Sequence, residues 1–460
     1  MGIFKSGAPM FAIFVCLALS VSGIMFGYDN SVMSGAIAYI TDRFALNPTT
    51  VGMVVSGITV GAIIGALCAG VVSDALGRKK TLLLAALCFA VGSLAQSLAP
   101  VPALLIVFRF VAGLGIGLTN TISPIYIAEM APSKVRGAFG AMYQLLVCIG
   151  LTVVFFINAH IASTGDLAWN ISTGWRVMLG MGAVPAIIVL ILVCMVPESP
   201  RWLRLKGRTD KAAGVLGRIR NADEVESELA EIDESIERSK EEHSTSIKAI
   251  FKPGIRKMVG IGFLVALFQH ITGIDGVIYY CAIIFEEAGL GRNAALYNTV
   301  FIGLTLMAFT IVAILLVDKF GRKRLLSVGT AIMIVALAIL TILFKSGSNN
   351  IVLITAFLLI YVAGFSIGMG SVTWVILGEI FPIKVKGIAI SISMAAYWIA
   401  NFLVAQFIPI FSAKWGMGTV FGIFCVLSVV ALIFYIKVLP ETKGRTLEEI
   451  ERDMLGSVEI

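Results

Sequence analysis

Twelve stretches of this chain are each apolar over about 20 residues, the length a helix needs to cross the hydrocarbon layer of a bilayer. They run roughly over 11–36, 51–72, 81–99, 102–125, 138–161 and 175–196, then 257–286, 296–317, 325–345, 351–377, 387–411 and 418–439. Lipid offers no partner to a backbone N–H or C=O, so each stretch is expected to be a helix. Composition points the same way. Charged residues make up 14% of the chain and hydrophobic ones 58%, whereas soluble domains are about a quarter charged. So few charges cannot clothe a water-facing surface all round. The expected fold class is an all-α membrane protein with twelve transmembrane helices.

The first run, Met10 to Met25, has the apolar character of a signal peptide. It lacks a strongly basic leader and continues into Gly27-Tyr28-Asp29 without a small-residue cleavage site, so it reads as a retained span. All seven cysteines fall inside apolar runs without metal-site spacing, and they read as small core residues with no disulfide framework.

The formal charge of +7 would suggest nucleic acid in a soluble protein. Here the cations sit in short clusters between spans and read as a topology signal; no nucleic-acid partner is expected. With both termini cytoplasmic, 29 of the 35 Lys and Arg fall on the cytoplasmic side, five in outer loops, and Arg109 within a span. The expected organisation is a first six-helix bundle over 1–197, a charged cytoplasmic linker with short helices over 198–256, a second bundle over 257–440 and a tail over 441–460. Residues 224 to 242 read as one of the short charged helices of the linker.

The two halves repeat. Asp74-Ala-Leu-Gly-Arg-Lys-Lys80 matches Asp318-Lys-Phe-Gly-Arg-Lys-Arg324, Glu129 through Arg136 matches Glu379 through Lys386, and Pro197-Glu198-Ser199 matches Pro440-Glu441-Thr442. The offsets are 244, 250 and 243 residues. A duplicated six-span unit is the mark of a transporter whose halves rock about a central site. Each repeated loop places acids and cations at the ends of adjacent helices, where the helix dipoles favour them. Topology signalling accounts for the cations alone. It leaves the repeated acids and glycines unexplained, so Asp74, Arg78, Glu129, Arg136, Glu198, Arg201, Asp318, Arg322, Glu379, Lys386 and Glu441 are candidate gating residues.

These motifs make the chain resemble, over nearly all its length, the sugar porter family of the major facilitator superfamily. The supporting residues are Gly27-Tyr28-Asp29, Asp74 with Gly77-Arg78-Lys79, Arg109, Glu129 with Arg136-Gly137, Pro197-Glu198-Ser199-Pro200-Arg201-Trp202-Leu203, Gln269 with Gly273-Ile274, Gly321-Arg322-Lys323, Glu379, and Pro440-Glu441-Thr442-Lys443-Gly444. The resemblance implies the major facilitator fold, with two pseudo-symmetric six-helix bundles. It also implies secondary transport of a sugar or polyol across the cell membrane, in the manner of bacterial proton-coupled symporters. The chain is expected to act as a monomer in contact with membrane lipid. It has no nucleotide loop, metal cluster or nucleophile triad, so neither an enzyme nor a cofactor is expected.

Asp29 and Arg109 both lie in apolar spans. A charge at the bilayer centre costs about 2.5–3.5 kcal/mol on insertion scales, so the simplest arrangement has them facing the interior and meeting. A solute-driven rearrangement could then trade the ion pair for a proton on Asp29; a static structural pair is the alternative. The resemblance implies coupling, because proton symporters of this family carry an acid and an arginine at these positions and facilitators tend to have Asn for the acid. Sodium coupling, passive facilitation and a non-transporting sensor stay open as alternatives. The acid argues against the facilitator, and the short C-terminal tail argues against the sensor.

A polyhydroxy solute needs hydrogen-bonding groups and an aromatic face. The polar and aromatic residues within apolar spans are Gln144, Gln269, His270, Asp275, Tyr279, Tyr280, Trp374, Trp398, Asn401 and Gln406, and each can equally be a helix–helix contact. Gly273 is expected to loosen its helix. For Gln144, Gln269 and Trp374 the resemblance favours solute binding; for Tyr280, Trp398 and Gln406 the two readings balance. The chain departs from the family pattern at His270 (usually Gln), Asp275 (usually Asn), Leu306, Ser366 and Tyr397, so the pocket is not a standard glucose pocket.

Overall fold

The computed structural model describes residues 9–132, 135–221, 224–242, 253–348, 350–382, 385–445 and 449. Twelve helices among them are long and apolar enough to cross a membrane. They are span 1 (Met10–Phe44), span 2 (Pro48–Leu76), span 3 (Arg78–Ser97), span 4 (Pro102–Met130), span 5 (Arg136–Thr164), span 6 (Leu167–Met195), span 7 (Gly254–Glu287), span 8 (Arg292–Val317), span 9 (Arg322–Lys345), span 10 (Ile351–Glu379), span 11 (Lys386–Trp415) and span 12 (Met417–Lys437). All twelve expected runs are found. Several helices extend past their apolar core, because polar end turns propagate a helix once the core has nucleated it.

Local chemistry sets the helix ends. Pro102 opens span 4, where its missing N–H is no loss. The Asp166 and Asn350 side chains accept from the free N–H groups of Trp169 and Leu353 at 2.7 and 3.1 Å and start spans 6 and 10. Between spans 6 and 7, among the described residues, lie three short helices, Pro200–Leu205, Thr209–Ile219 and Val225–Glu242, the last being the expected charged segment.

Span 7 is broken. Its first helix, Pro253–Ile271, and its second, Ile274–Glu287, are separated by Gly273 at φ +104°. That left-handed conformation strains any residue with a Cβ, and the space a Cβ would take is filled by the Phe424 ring. Tyr361 OH donates to the freed Thr272 carbonyl at 3.1 Å, which satisfies the broken ladder from span 10. The expectation that Gly273 loosens its helix is met.

Outward faces carry large apolar side chains, among them Leu67, Val71, Ile191, Leu315, Ile342 and Val426. Exposed apolar surface on this scale requires lipid around it. One expectation needs correcting. Cys68 and Cys194 are exposed on these faces and are not core residues; an apolar run marks burial from water, and lipid satisfies it as well as protein does. All seven cysteines are free.

By packing, the chain falls into two units. One comprises Met1–Asp29, Gly57–Val154 and Trp175–His243; the other comprises Asn30–Ser56, Phe155–Gly174 and Ser244–Ile460.

Candidate functional site

In the first unit, the repeated loop at the junction of spans 2 and 3 folds around Arg78. Its guanidinium donates to Asp74 at 2.9 Å and to both oxygens of Glu129 at 3.2 Å. Gly77 lies at φ +97°, and the Glu198 carboxylate fills the space its side chain would occupy. From there Glu198 accepts from the backbone N–H of Lys79 at 3.1 Å and of Ser199 at 2.9 Å, satisfying two otherwise unpaired helix-end donors.

The second unit repeats the device. Arg322 donates to Glu379 at 2.9 Å, Thr442 Oγ1 donates to the other Glu379 oxygen at 2.6 Å, and Gly321 lies at φ +87° against Glu441. Glu441 accepts from the N–H groups of Arg322 and Lys323 at 2.8 and 3.2 Å. Lys386 Nζ donates to the carbonyl of Gly378, the residue before Glu379, at 2.6 Å. Of the candidate gating residues, Arg136 is exposed and Arg201 half-buried, and neither joins a cluster among the described residues. Their cations need only water, so proximity in sequence did not bring them in. The Asp318 side chain lies outside the described residues.

Within the span region of the first unit, Asp29 and Arg109 meet as expected. Both are buried, and Arg109 Nη1 stands 3.8 Å from Asp29 Oδ1. That is an ion pair at more than hydrogen-bond length. Gln144 on span 5 belongs to this unit and is half-buried.

The other solute candidates belong to the second unit. Gln269 and His270 end the first helix of span 7, and Asp275 opens the second. His270 Nδ1 contacts Asp275 Oδ2 directly across the break. Tyr397 lies edge-on to the His270 ring with centroids 3.9 Å apart, and it also packs on Trp374 at 5.4 Å and Trp398 at 5.0 Å. Tyr279 OH lies 3.3 Å from Asn401 Oδ1 and from Asn30 Oδ1. Gln269 Oε1 and His270 Nε2 are buried with no hydrogen-bond partner among the described residues. Orphaned buried polar atoms are costly, and two adjacent ones beside an aromatic cluster are what a hydroxyl-rich guest would satisfy.

Two candidates turn out to be braces. Tyr280 OH donates to the Ala405 carbonyl at 2.6 Å. Gln406 accepts from Ser56 at 3.0 Å and donates to the Thr49 carbonyl at 3.2 Å. A cavity of about 180 Å³ in this unit opens among Thr41, Pro48, Val51, Tyr280, Ile408 and Met417. Its walls are apolar and it holds none of the orphaned atoms, so it is not a sugar site.

Sequence reasoning missed an ion network at the end of span 1 remote from the linker. Arg292 donates to Asp42 at 2.6 Å and to Glu286 at 3.3 Å, and lies 5.1 Å over the Tyr39 ring. Opposite charges 250 residues apart leave no local pattern to read. Asn30 was legible as a polar residue in an apolar run.

Twelve membrane-crossing helices in a repeated arrangement, with buried charges and a broken helix among them, define a secondary transporter of the major facilitator superfamily. The chain matches the sequence profile of the sugar (and other) transporter family over residues 15–454, and it belongs to that family. It is 37% identical to the arabinose-proton symporter of Bacillus subtilis, covering 97% of this chain and 96% of that one. It is 39% identical to a glucose transporter of Staphylococcus epidermidis, covering 97% and 98%. Its fold is similar to a partially occluded inward-open form of the xylose transporter of Escherichia coli, with TM-score 0.85, 31% identity and coverage of 95% and 99%. The protein is a multi-pass membrane carrier working by alternating access, and not an enzyme.

Proposed function

We propose that the chain takes up a sugar or polyol together with protons, with Asp29 and Arg109 as the coupling pair. The observation that carries this reading is the buried carboxylate–guanidinium pair at 3.8 Å inside the membrane region. A pair this long holds its charges by attraction without a hydrogen bond, and a small separation of spans 1 and 4 would leave the carboxylate to take a proton in place of the arginine. The relatives include a sugar–proton symporter, which supports the same coupling here.

The solute rests on the broken span 7. Gln269 and His270 supply polar atoms, Trp374, Trp398 and Tyr397 supply aromatic faces, and Tyr279 and Asn401 close the floor. The linker side is cytoplasmic, as the 29-to-5 bias of cations predicts. The Arg292 network with Asp42, Glu286 and Tyr39 is then the outer closure, and the clusters around Arg78 and Arg322 brace the inner ends of their own bundles. The transporter acts as a monomer of two six-helix bundles.

The test is uptake into proteoliposomes under an imposed pH gradient, with D-xylose, L-arabinose and D-glucose as probes. Asp29→Asn is expected to lose accumulation above equilibrium while keeping counterflow exchange. Accumulation that survives this change removes Asp29 from the coupling role.

A further inference from the structure

The internal repeat reaches further than the inner loops. Gly27-Tyr28-Asp29 in span 1 and Gly273-Ile274-Asp275 in span 7 lie 246 residues apart, within the range of the loop offsets. Asp275 is therefore the repeat counterpart of Asp29. In the first half the acid meets a guanidinium from another span. In the second half it meets His270, five residues back across the break.

The broken helix suits opposite charges at these two positions. His270 lies in the last turn of the first helix, where the dipole favours a cation, and Asp275 in the first turn of the second, where it favours an anion. Both are buried, at 5% and 2% exposure. Other titratable groups facing the pair from packed helices are tyrosines: Tyr397 of span 11 against the imidazole, and Tyr361 of span 10, near enough to feel the Asp275 charge.

An ionised carboxylate only accepts, so His270 Nδ1–H is the donor in the contact with Asp275. On the imidazole a further proton can therefore enter only at Nε2, the atom buried without a partner among the described residues. With that proton the pair is net neutral and Nε2–H is a donor; without it the pair carries one negative charge and Nε2 is an acceptor. No other bond changes, and the proton exchanges with the water that reaches the site.

We propose that His270 and Asp275 form a second proton-binding unit, the repeat counterpart of Asp29–Arg109, whose proton changes the hydrogen bond offered to the solute. This deepens the transport reading and rests on it. The sign follows from Gln269 Oε1, an acceptor already orphaned beside it. A protonated Nε2 and that oxygen form a donor–acceptor couple matched to a hydroxyl group. Two bare acceptors must compete for a single O–H. Solute therefore binds more tightly to the pair that holds the proton than to the pair that has lost it.

The experiment is counterflow of D-xylose, L-arabinose and D-glucose with equal pH on both faces, from pH 8 to pH 5.5. It is run in the wild type and in D29N, then in each background with D275N and with H270Q/D275N, which keep side-chain shape. The half-saturation concentration in D29N is expected to fall at least threefold toward pH 5.5. That shift should shrink in D29N/D275N and vanish in D29N/H270Q/D275N, whose half-saturation concentration is raised by the loss of the His270 contact but is the same at every pH. A pH-independent D29N, or a shift that persists in the triple variant, overturns the proposal and leaves the role of Asp29 standing. Loss of exchange of all three sugars by the wild type would overturn the transport reading and this proposal together.

Discussion

The repeated helix-end clusters of the two halves and their buried charges have diverged by different amounts. In the clusters a glycine at positive φ, an arginine gripping a span-end glutamate and a second glutamate capping the next helix recur in both halves. Among the spans the acid recurs but its partner does not. Asp29 is held by a permanent cation from a neighbouring span, whereas Asp275 is held by a histidine from its own. Bracing a helix end is the same physical problem in both halves, so its solution can be inherited unchanged. Under the proposed reading the buried acids serve different tasks in the two halves, and their partners differ accordingly.

The sharpest break between the two pairs should appear when one partner is removed. Arg109→Gln leaves Asp29 buried without its cation, a defect that typically costs about 3–5 kcal/mol. The first pair should therefore lose most of its thermal stability in detergent with Arg109→Gln and recover much of it in D29N/R109Q. His270→Gln should cost less, because histidine can shed its charge and glutamine still donates to Asp275. Equal losses of melting temperature at the two sites would mean that the pairs play the same structural part.

The repeated inner glycines provide the opposite check. Gly77 and Gly321 have φ/ψ near +97°/160° and +87°/160°, a region open essentially to glycine alone, where another residue costs about 1–3 kcal/mol. A Cβ would also meet a glutamate oxygen at 2.2 Å in the first half and 2.7 Å in the second. Gly77→Ala and Gly321→Ala should destabilise similarly, with Gly77→Ala the worse of the two. A harmless Gly321→Ala would show that the second cluster does not brace its helix as the first does.

Most of the fold was legible because lipid imposes one rule on every span, and twelve apolar runs left little choice. Asp29 with Arg109 was legible because two unlike charges in lipid must find each other. The His270–Asp275 contact follows from the helix break, which sets the last turn of one helix against the first turn of the next. The Tyr397 cluster and the Arg292 network were not legible: they assemble from distant segments, and an aromatic in an apolar span gives no sign of which neighbour it will meet. Arg136 and Arg201 face water or are half-buried in this structure, which leaves their gating role as a proposal.

Within the solute site the contrast is between orphaned and satisfied polar groups. Gln269 Oε1 lacks a partner, whereas Gln406 is bonded at both ends of its amide. Gln269→Ala should weaken sugar binding at least about tenfold, or about 1.4 kcal/mol, the worth of one hydrogen bond to a buried group. Gln406→Ala should leave affinity nearly unchanged. Titration of intrinsic tryptophan fluorescence with D-xylose, L-arabinose and D-glucose, using the wild type as reference, reads both, and a reversed order would move the site away from the break.

The smallest effect on stability is expected at Asp74. Its side chain is 69% exposed, and Arg78 keeps both oxygens of Glu129 when Asp74 is gone. Exposed ion pairs contribute at most about 1 kcal/mol, so Asp74→Ala should barely move the melting temperature. Its carbonyl also accepts from Trp202 Nε1 at 3.1 Å, a contact the substitution leaves in place. A brace that serves only the resting fold would therefore leave turnover as unchanged as stability. A gate would not: if Asp74 helps Arg78 re-form its grip in each transport cycle, counterflow rate should drop severalfold at constant melting temperature. Measuring the two quantities on the same preparation separates brace from gate. An unchanged rate confines the gating role to Arg78, Glu129 and Glu198.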